Sequence, residues 1–205
     1  MTELSTEEKI KVAARKVFHE KGFAATRTRD IAAEAGINLA LLSYYFKNKQ
    51  WLFEVVMGET ISLFIEGIRR IVNQSETSFD EKIELLVSNY IDMFLKEPTM
   101  LNFIFNEVIN NNADLLTRRI GVNSMIQSSV LFVQYEERMR GTNFEGIAFV
   151  QFMVNVMGMI VVPFMAKPVV QGFLAAPKDE QFQQMMLERK RLIPIWIKAM
   201  IVAER

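Results

Sequence analysis

A small residue, a glycine and an apolar plug, spaced along one short run, constrain this chain more than any other feature. Residues 29 to 46 read RDIAAEAGINLALLSYYF. Ala32 lacks bulk where a second helix must pass close by. Four residues on, Gly36 can take the left-handed backbone that ends one helix and turns the chain sharply. Ile37 and Leu42 then supply apolar plugs that lock two short helices together. Asn38 stands where an N-cap is wanted, its side-chain oxygen free to accept an orphan amide of the second helix. An αα-corner of this kind places its second helix in the major groove of DNA. By itself the spacing also fits a helix corner inside a core, so the flanking residues decide.

Gly22-Phe23 closes a first helix, Thr26 and Thr28 precede a second, Tyr44-Tyr45-Phe46 ends a third, and Lys47-Asn48-Lys49 opens a fourth. From about residue 5 to residue 56 the chain resembles the amino-terminal DNA-binding domain of the TetR family of bacterial transcriptional regulators. The resemblance implies an all-α fold of about nine helices. A tri-helical helix-turn-helix DNA-binding domain spans residues 1–50, and a larger helical ligand-binding and dimerisation domain spans 51–205. It further implies a homodimeric, ligand-responsive repressor that leaves a pseudo-palindromic double-stranded operator when a small effector binds. Two positions of the recognition helix depart from the family pattern. Leu39 stands where a polar or basic residue is common, and Ser43 where an aromatic is common.

Charge and composition agree with a cytoplasmic regulator. The net charge is zero, but residues 1–50 carry nine Lys/Arg against six Asp/Glu, and the remainder carries the opposite imbalance. The basic excess lies with the motif and is modest, so affinity must come from placed contacts on two subunits more than from a bulk positive field. There is no cysteine, hence no disulfide framework, thiolate zinc site or cysteine nucleophile. The amino terminus lacks the basic and apolar regions of a signal peptide. One histidine, His19, sits away from the apolar stripe Ile10, Ala13, Ala14, Val17 and Phe18 and reads as a solvated surface residue. With so few candidate groups, the sequence supports neither catalysis nor a metal or cofactor site.

The helical pattern continues along the chain. Ser5 with Glu8 and Ser78 with Glu81 have the spacing of capping boxes, and Pro98 stops one helix and suits the first turn of the next. Helices are expected from about Ser5 to Lys21, Asn48 to Asn73, Ser78 to Pro98, Pro98 to Val108, Ala113 to Met139, Asn143 to Met165 and Asp179 to Ala203. Residues 146–166 carry no charge and are long enough to span a bilayer. Gln151, Asn155 and Pro163 oppose a span, and a helix apolar all round is equally at home in a core. The reading is therefore a buried helix and no membrane partner; an anchored helical protein is the alternative.

Candidate DNA contacts come from residue type and position. Thr28 and Arg29 open the second helix, where hydroxyls and helix ends favour phosphate; Arg29 can also reach a guanine edge. Asn38, Leu39, Ala40 and Ser43 occupy the exposed early turns of the recognition helix. Asn38 can cap or contact; Leu39 and Ala40 can pack on a thymine methyl. Tyr44 and Tyr45 point about 100° apart, so one is expected inside the domain and the other on phosphate; the family position favours Tyr45 for phosphate. Lys49 adds a cation beside a positive helix end, which makes sense where a phosphate lies between them.

For the effector, thirteen Met and sixteen Phe suit irregular apolar guests, although such residues usually form core. The scarce amides inside apolar stretches are sharper candidates. Gln151 and Asn155 share one helix face, and Asn102 and Asn106 repeat the spacing. Without an evident buried cationic cluster, a neutral or lipophilic effector is expected.

Overall fold

The computed structural model describes residues 4–105, 122–142 and 144–202. All regular structure among them is helical. The elements are α1 (Thr6–Ala25), α2 (Thr28–Glu34), α3 (Leu39–Tyr45), α4 (Lys49–Val72), α5 (Phe79–Lys96) and α6 (Pro98–Phe103). They continue as α7 (Val122–Gln127), α8 (Val130–Met139), α9 (Phe149–Met165), α10 (Lys167–Gly172) and α11 (Lys178–Val202). These eleven helices exceed the nine expected, for local reasons. Ser128 and Ser129 break the helix expected through Met139: Ser129 Oγ donates to the Ile126 carbonyl at 2.6 Å and accepts from the Phe132 amide at 3.2 Å. Serine hydroxyls compete with the helix ladder in this way. Gly146, at φ 81°, delays α9 to Phe149, and α10 lay unnoticed after Pro163.

The described residues fall into two compact units. The first contains α1, α2, α3, α4 through Ile65, and residues 99–105. Ile10, Ala14 and Phe18 of α1 are fully buried with Ile31 of α2 and Leu52 of α4, and Leu42 of α3 is nearly so. Ion pairs tie this unit outside its core. Glu59 of α4 receives Lys11 at 2.8 Å and Arg15 at 2.6 Å, and Lys16 meets Glu34 at 2.6 Å.

His19 corrects the sequence reading, because it is buried rather than solvated. The chain kinks at Gly22 (φ 72°), and the turn before it faces α4 and Phe103, whose ring lies 4.6 Å from the imidazole. Thr60 Oγ1 spends its proton on the Val56 carbonyl at 2.9 Å, so His19 Nε2–H must donate to that hydroxyl, 3.3 Å away. Burial, helped by nearby Arg15, pushes the imidazole down to about 4.

The second unit contains Glu66–Pro98 and the described chain from 122 onward. Its centre is α5, which packs against α8, α9 and α11. Leu86, Val87, Tyr90, Ile91 and Phe94 are buried along α5 and meet Met186, Ile193 and Ile197 of α11 in the same core. The amphipathic spacing of α5 fixes this, and Ser78 starts it by accepting from the Glu81 amide at 3.3 Å. Lys82, fully buried, donates to the Thr77 carbonyl and at 2.9 Å to Thr77 Oγ1, which ties the preceding turn down. In α9, Phe149, Phe152, Val156 and Ile160 point inward at helical spacing, but Val150, Val154 and Val162 are exposed. No helix among the described residues is long and apolar enough to cross a membrane.

Candidate nucleic-acid interface and effector cavity

The corner between α2 and α3 has the geometry that its residues dictate. Ile31 and Ala32 are buried, and α2 ends as Gly36 takes φ 66°. The Ile37 amide then donates to the Ala32 carbonyl at 3.0 Å, which satisfies an orphan acceptor of α2. Asn38 caps α3, its Oδ1 accepting from the Leu41 amide at 2.8 Å. With Leu42 plugged inward, the outer face of α3 is left to Leu39, Ala40, Ser43 and Tyr44. Leu39 is 48% exposed and Tyr44 81% exposed. A short helix held by its corner, with its polar cap and outer side chains in solvent, can enter a major groove.

The flanking cations and hydroxyls are arranged less uniformly. Arg29 is exposed and Thr28 half-buried in the first turn of α2, where the Arg27 amide donates to Asp30 Oδ2 at 3.2 Å. That hydrogen bond, with Lys21 nearby, holds the Asp30 carboxyl below its usual range. Lys49 Nζ donates to the carbonyls of Phe23 at 2.9 Å and Thr26 at 3.0 Å, and sits 4.1 Å over the Phe23 ring. It thus closes the end of α1, with one ammonium proton left over.

The second unit holds a cavity of about 450 Å³ beside α9. Tyr135 and Met139 of α8, Gln151, Phe152 and Asn155 of α9, and Met200 of α11 contribute to its wall. Its floor is aromatic: the Tyr135 ring lies 5.1 Å from Phe152 and 5.0 Å from Phe149. The Tyr135 hydroxyl is already spent on the Ile147 carbonyl at 2.9 Å, and burial pushes it up from its ordinary range. No charged side chain lines the cavity among the described residues. Its available polar groups are the exposed amides of Gln151 and Asn155, four residues apart on one face. Such a site suits an apolar, uncharged guest oriented by amide hydrogen bonds.

Residues 10–56 match the family of bacterial regulatory proteins of the tetR type. Over 96% of the chain and 94% of the relative, the protein is 27% identical to the probable HTH-type transcriptional regulator YttP of Bacillus subtilis. Residues 10–56 therefore carry a tetR-type helix-turn-helix, and over nearly its whole length the chain is similar to transcriptional regulators of that kind. A TetR-like transcriptional regulator from Rhodococcus sp. RHA1 shares the fold over all of both chains, with TM-score 0.65 and 14% identity. FadR of Bacillus subtilis, solved with stearoyl-CoA, shares it over 91% of this chain and 96% of its own, with TM-score 0.54 and 17% identity.

The expected DNA-reading residues gather on the first unit. Thr28, Arg29, Asn38, Leu39, Ala40, Ser43, Tyr45 and Lys49 all lie on α2, α3, the turn between them or the start of α4. Of the two tyrosines, Tyr45 is half-buried and Tyr44 is the freer, their rings 5.3 Å apart edge to face. With Tyr45 expected on phosphate, Tyr44 was the tyrosine expected inside the domain, and the structure reverses this by leaving Tyr44 in solvent. The available signal was helical register, since Tyr44 falls four positions after Ala40, on the solvent side. The expected effector residues separate. Gln151 and Asn155 meet in the cavity wall, Asn102 is exposed on α6 and is not one of its lining residues, and Asn106 lies outside the described residues.

Proposed function

We propose that this chain is a TetR-family regulator, a cytoplasmic homodimeric repressor released from a pseudo-palindromic operator by a small lipophilic or neutral effector. Residues 1–50 read DNA in this proposal, and residues 51–205 bind the effector and the second copy. The observation that carries it is the outer face of α3. Leu39, Ala40, Ser43 and Tyr44 stand in solvent on a helix fixed by Gly36, Asn38 and Leu42. Arg29 and the remaining proton of Lys49 flank that face as phosphate partners.

A single short helix reads too few bases for specificity, so two copies are required, with recognition helices about 34–36 Å apart or a multiple of it. The exposed valines of α9 and the exposed Leu187, Ile195 and Trp196 of α11 supply apolar surface for pairing. The uncharged cavity supports the effector class, and the stearoyl-CoA held by the similarly folded FadR is in keeping with a lipophilic one. Release requires unequal affinity for the two states; moving a population from 1:99 to 99:1 takes roughly 10⁴-fold preference.

Selection of bound sequences from a random duplex pool, at fixed salt, tests the reading. An enriched two-fold symmetric site is expected, with binding weakened by a lipophilic effector. No enrichment at low salt, where phosphate contacts are strongest, would reduce the α2–α3 corner to a structural element.

A further inference from the structure

We infer that the outer face of α3 selects the C5-methyl group of a pyrimidine, whether that pyrimidine is thymine or 5-methylcytosine. The inference rests on the DNA-reading role proposed above and deepens it by naming the chemical group that is read. Three observations carry it.

The first is what α3 lacks. Its seven residues, Leu39–Tyr45, include no Arg, Lys, Asn, Gln, Asp or Glu. Guanine is read by a bidentate Arg or Lys, and cytosine by an accepting carboxylate. Neither type is present on this helix. Adenine is read by a carboxamide that gives a proton and takes one. Asn38, at the cap, has its Oδ1 turned onto the Leu41 amide at 2.8 Å, so its oxygen and nitrogen cannot both face a base.

The second is what α3 presents instead. Leu39 is 48% exposed and Leu41 36% exposed, and Ala40 stands in solvent between them. Leu39 with Ser43, and Ala40 with Tyr44, form two adjoining rows on one side of the helix. Leu42 is buried on the other side and fixes which residues turn outward. The apolar group that a base pair offers in the major groove is the C5-methyl of its pyrimidine. Aliphatic side chains that stand in water before binding gain from that contact, and from no polar base edge.

The third is that the polar groups of this face do not sort pyrimidines. The hydroxyls of Ser43 and Tyr44 each donate and accept. Ser43 can therefore meet the O4 acceptor of thymine or the N4 donor of cytosine. Thymine and 5-methylcytosine differ in that group and share the methyl. A face built of Leu39, Ala40 and Ser43 registers the methyl and is indifferent to the base that bears it. Cytosine methylation at the contacted position then raises affinity, which makes operator choice responsive to a covalent mark on the DNA.

The test uses the full chain and the duplex enriched from the random pool, at fixed salt. Each thymine of one half-site, together with its symmetry mate, is replaced in turn by deoxyuridine, which lacks only the methyl. At one position per half-site, binding should weaken about fourfold for each methyl lost, or about fifteenfold for the pair. The thymine there is next replaced by cytosine, paired with guanine, with and without a C5-methyl. The methylated duplex should bind about fifteenfold more tightly than the unmethylated one, the same ratio as thymine over uracil. In Leu39→Ala both ratios should collapse toward one. Leu39 is exposed, and thermal melting verifies that this variant stays folded.

Thymine and uracil bound alike at every position overturn the inference, as does an enriched half-site that holds no thymine. A uracil loss that cytosine methylation fails to reproduce overturns it too, because the face then reads the base. Ratios unchanged in Leu39→Ala do the same, since the methyl is then sensed away from α3. Failure to enrich any duplex overturns the DNA-reading role instead.

Discussion

Arg189 Nη2 donates to the Met159 carbonyl at 2.8 Å, and that carbonyl is the one Pro163 leaves without its helix donor. A proline inside a helix removes the hydrogen bond to the residue four back. In α9 the vacancy is filled from α11, whose guanidinium also lies 5.2 Å from the Trp196 ring. The proline and the cation are therefore one device, which fastens two helices that carry the proposed pairing face. No carboxylate pairs with Arg189 among the described residues.

Arg189→Met should accordingly destabilise the fold by about 1.5–3 kcal/mol, the range for a hydrogen bond with a charged partner. In a Pro163→Ala background the Met159 carbonyl regains a backbone donor, and the same change should cost at least about 1 kcal/mol less. Urea unfolding of the four proteins in this double-mutant cycle measures the coupling. Strict additivity would show that the guanidinium does not serve the proline vacancy.

His19 gives the protein an acid-sensitive joint. Its folded imidazole is held neutral down to about pH 4, whereas in the unfolded chain it takes a proton near pH 6.5. Between those values the unfolded state binds more protons, so stability falls as pH falls, by about 3 kcal/mol in all at full effect. Above pH 6.5 the group contributes no slope. His19→Gln, which keeps a donor for Thr60, should flatten the stability curve between pH 6.5 and 4. Chemical denaturation at half-unit pH steps decides it, and an unchanged slope would place the acid sensitivity elsewhere.

The features legible in the sequence were those that a single residue type imposes locally. Ser5, Asn38 and Ser78 cap their helices as their hydroxyls and amide require, and Gly36 turns the chain with its positive φ. Gln151 and Asn155 could be grouped because they share one helix. What was missed depends on partners distant in sequence. Helical periodicity places His19 off the stripe of α1, and only Thr60 and Phe103 make its side an inside. The commitment of Lys49 to Phe23 and Thr26 rests on carbonyls exposed by the break at Gly22, twenty-seven residues earlier. The outward valines of α9 were hidden by a uniformly apolar run that carries no facing information of its own.

Lys49 has two tasks that one pair of measurements separates. Lys49→Met leaves two carbonyls without their donor and should lower stability by about 1–3 kcal/mol. If its third proton also meets phosphate, removing one such contact from each of two subunits should reduce the salt slope of operator binding by about two. Melting temperature and salt titration are read on the same preparation. A lower melting temperature with an unchanged slope would make Lys49 a structural residue alone.

Leu39 offers the sharpest test of base reading. Its side chain stands 48% exposed one residue past the Asn38 cap, where it cannot hydrogen-bond a base edge but can pack on a thymine methyl. Leu39→Ala removes apolar contact worth about 1–2 kcal/mol, so affinity for the preferred operator should fall roughly five- to thirtyfold. The loss should concentrate at one base pair in each half-site and largely vanish on operators already lacking that thymine. Tyr44→Phe behaves differently in this view. If the Tyr44 hydroxyl meets phosphate, its removal should weaken all operators alike. Affinity measured across a set of single-base operator variants distinguishes the two patterns, and a Leu39→Ala protein with an unaltered preference at every position would remove Leu39 from the reading surface.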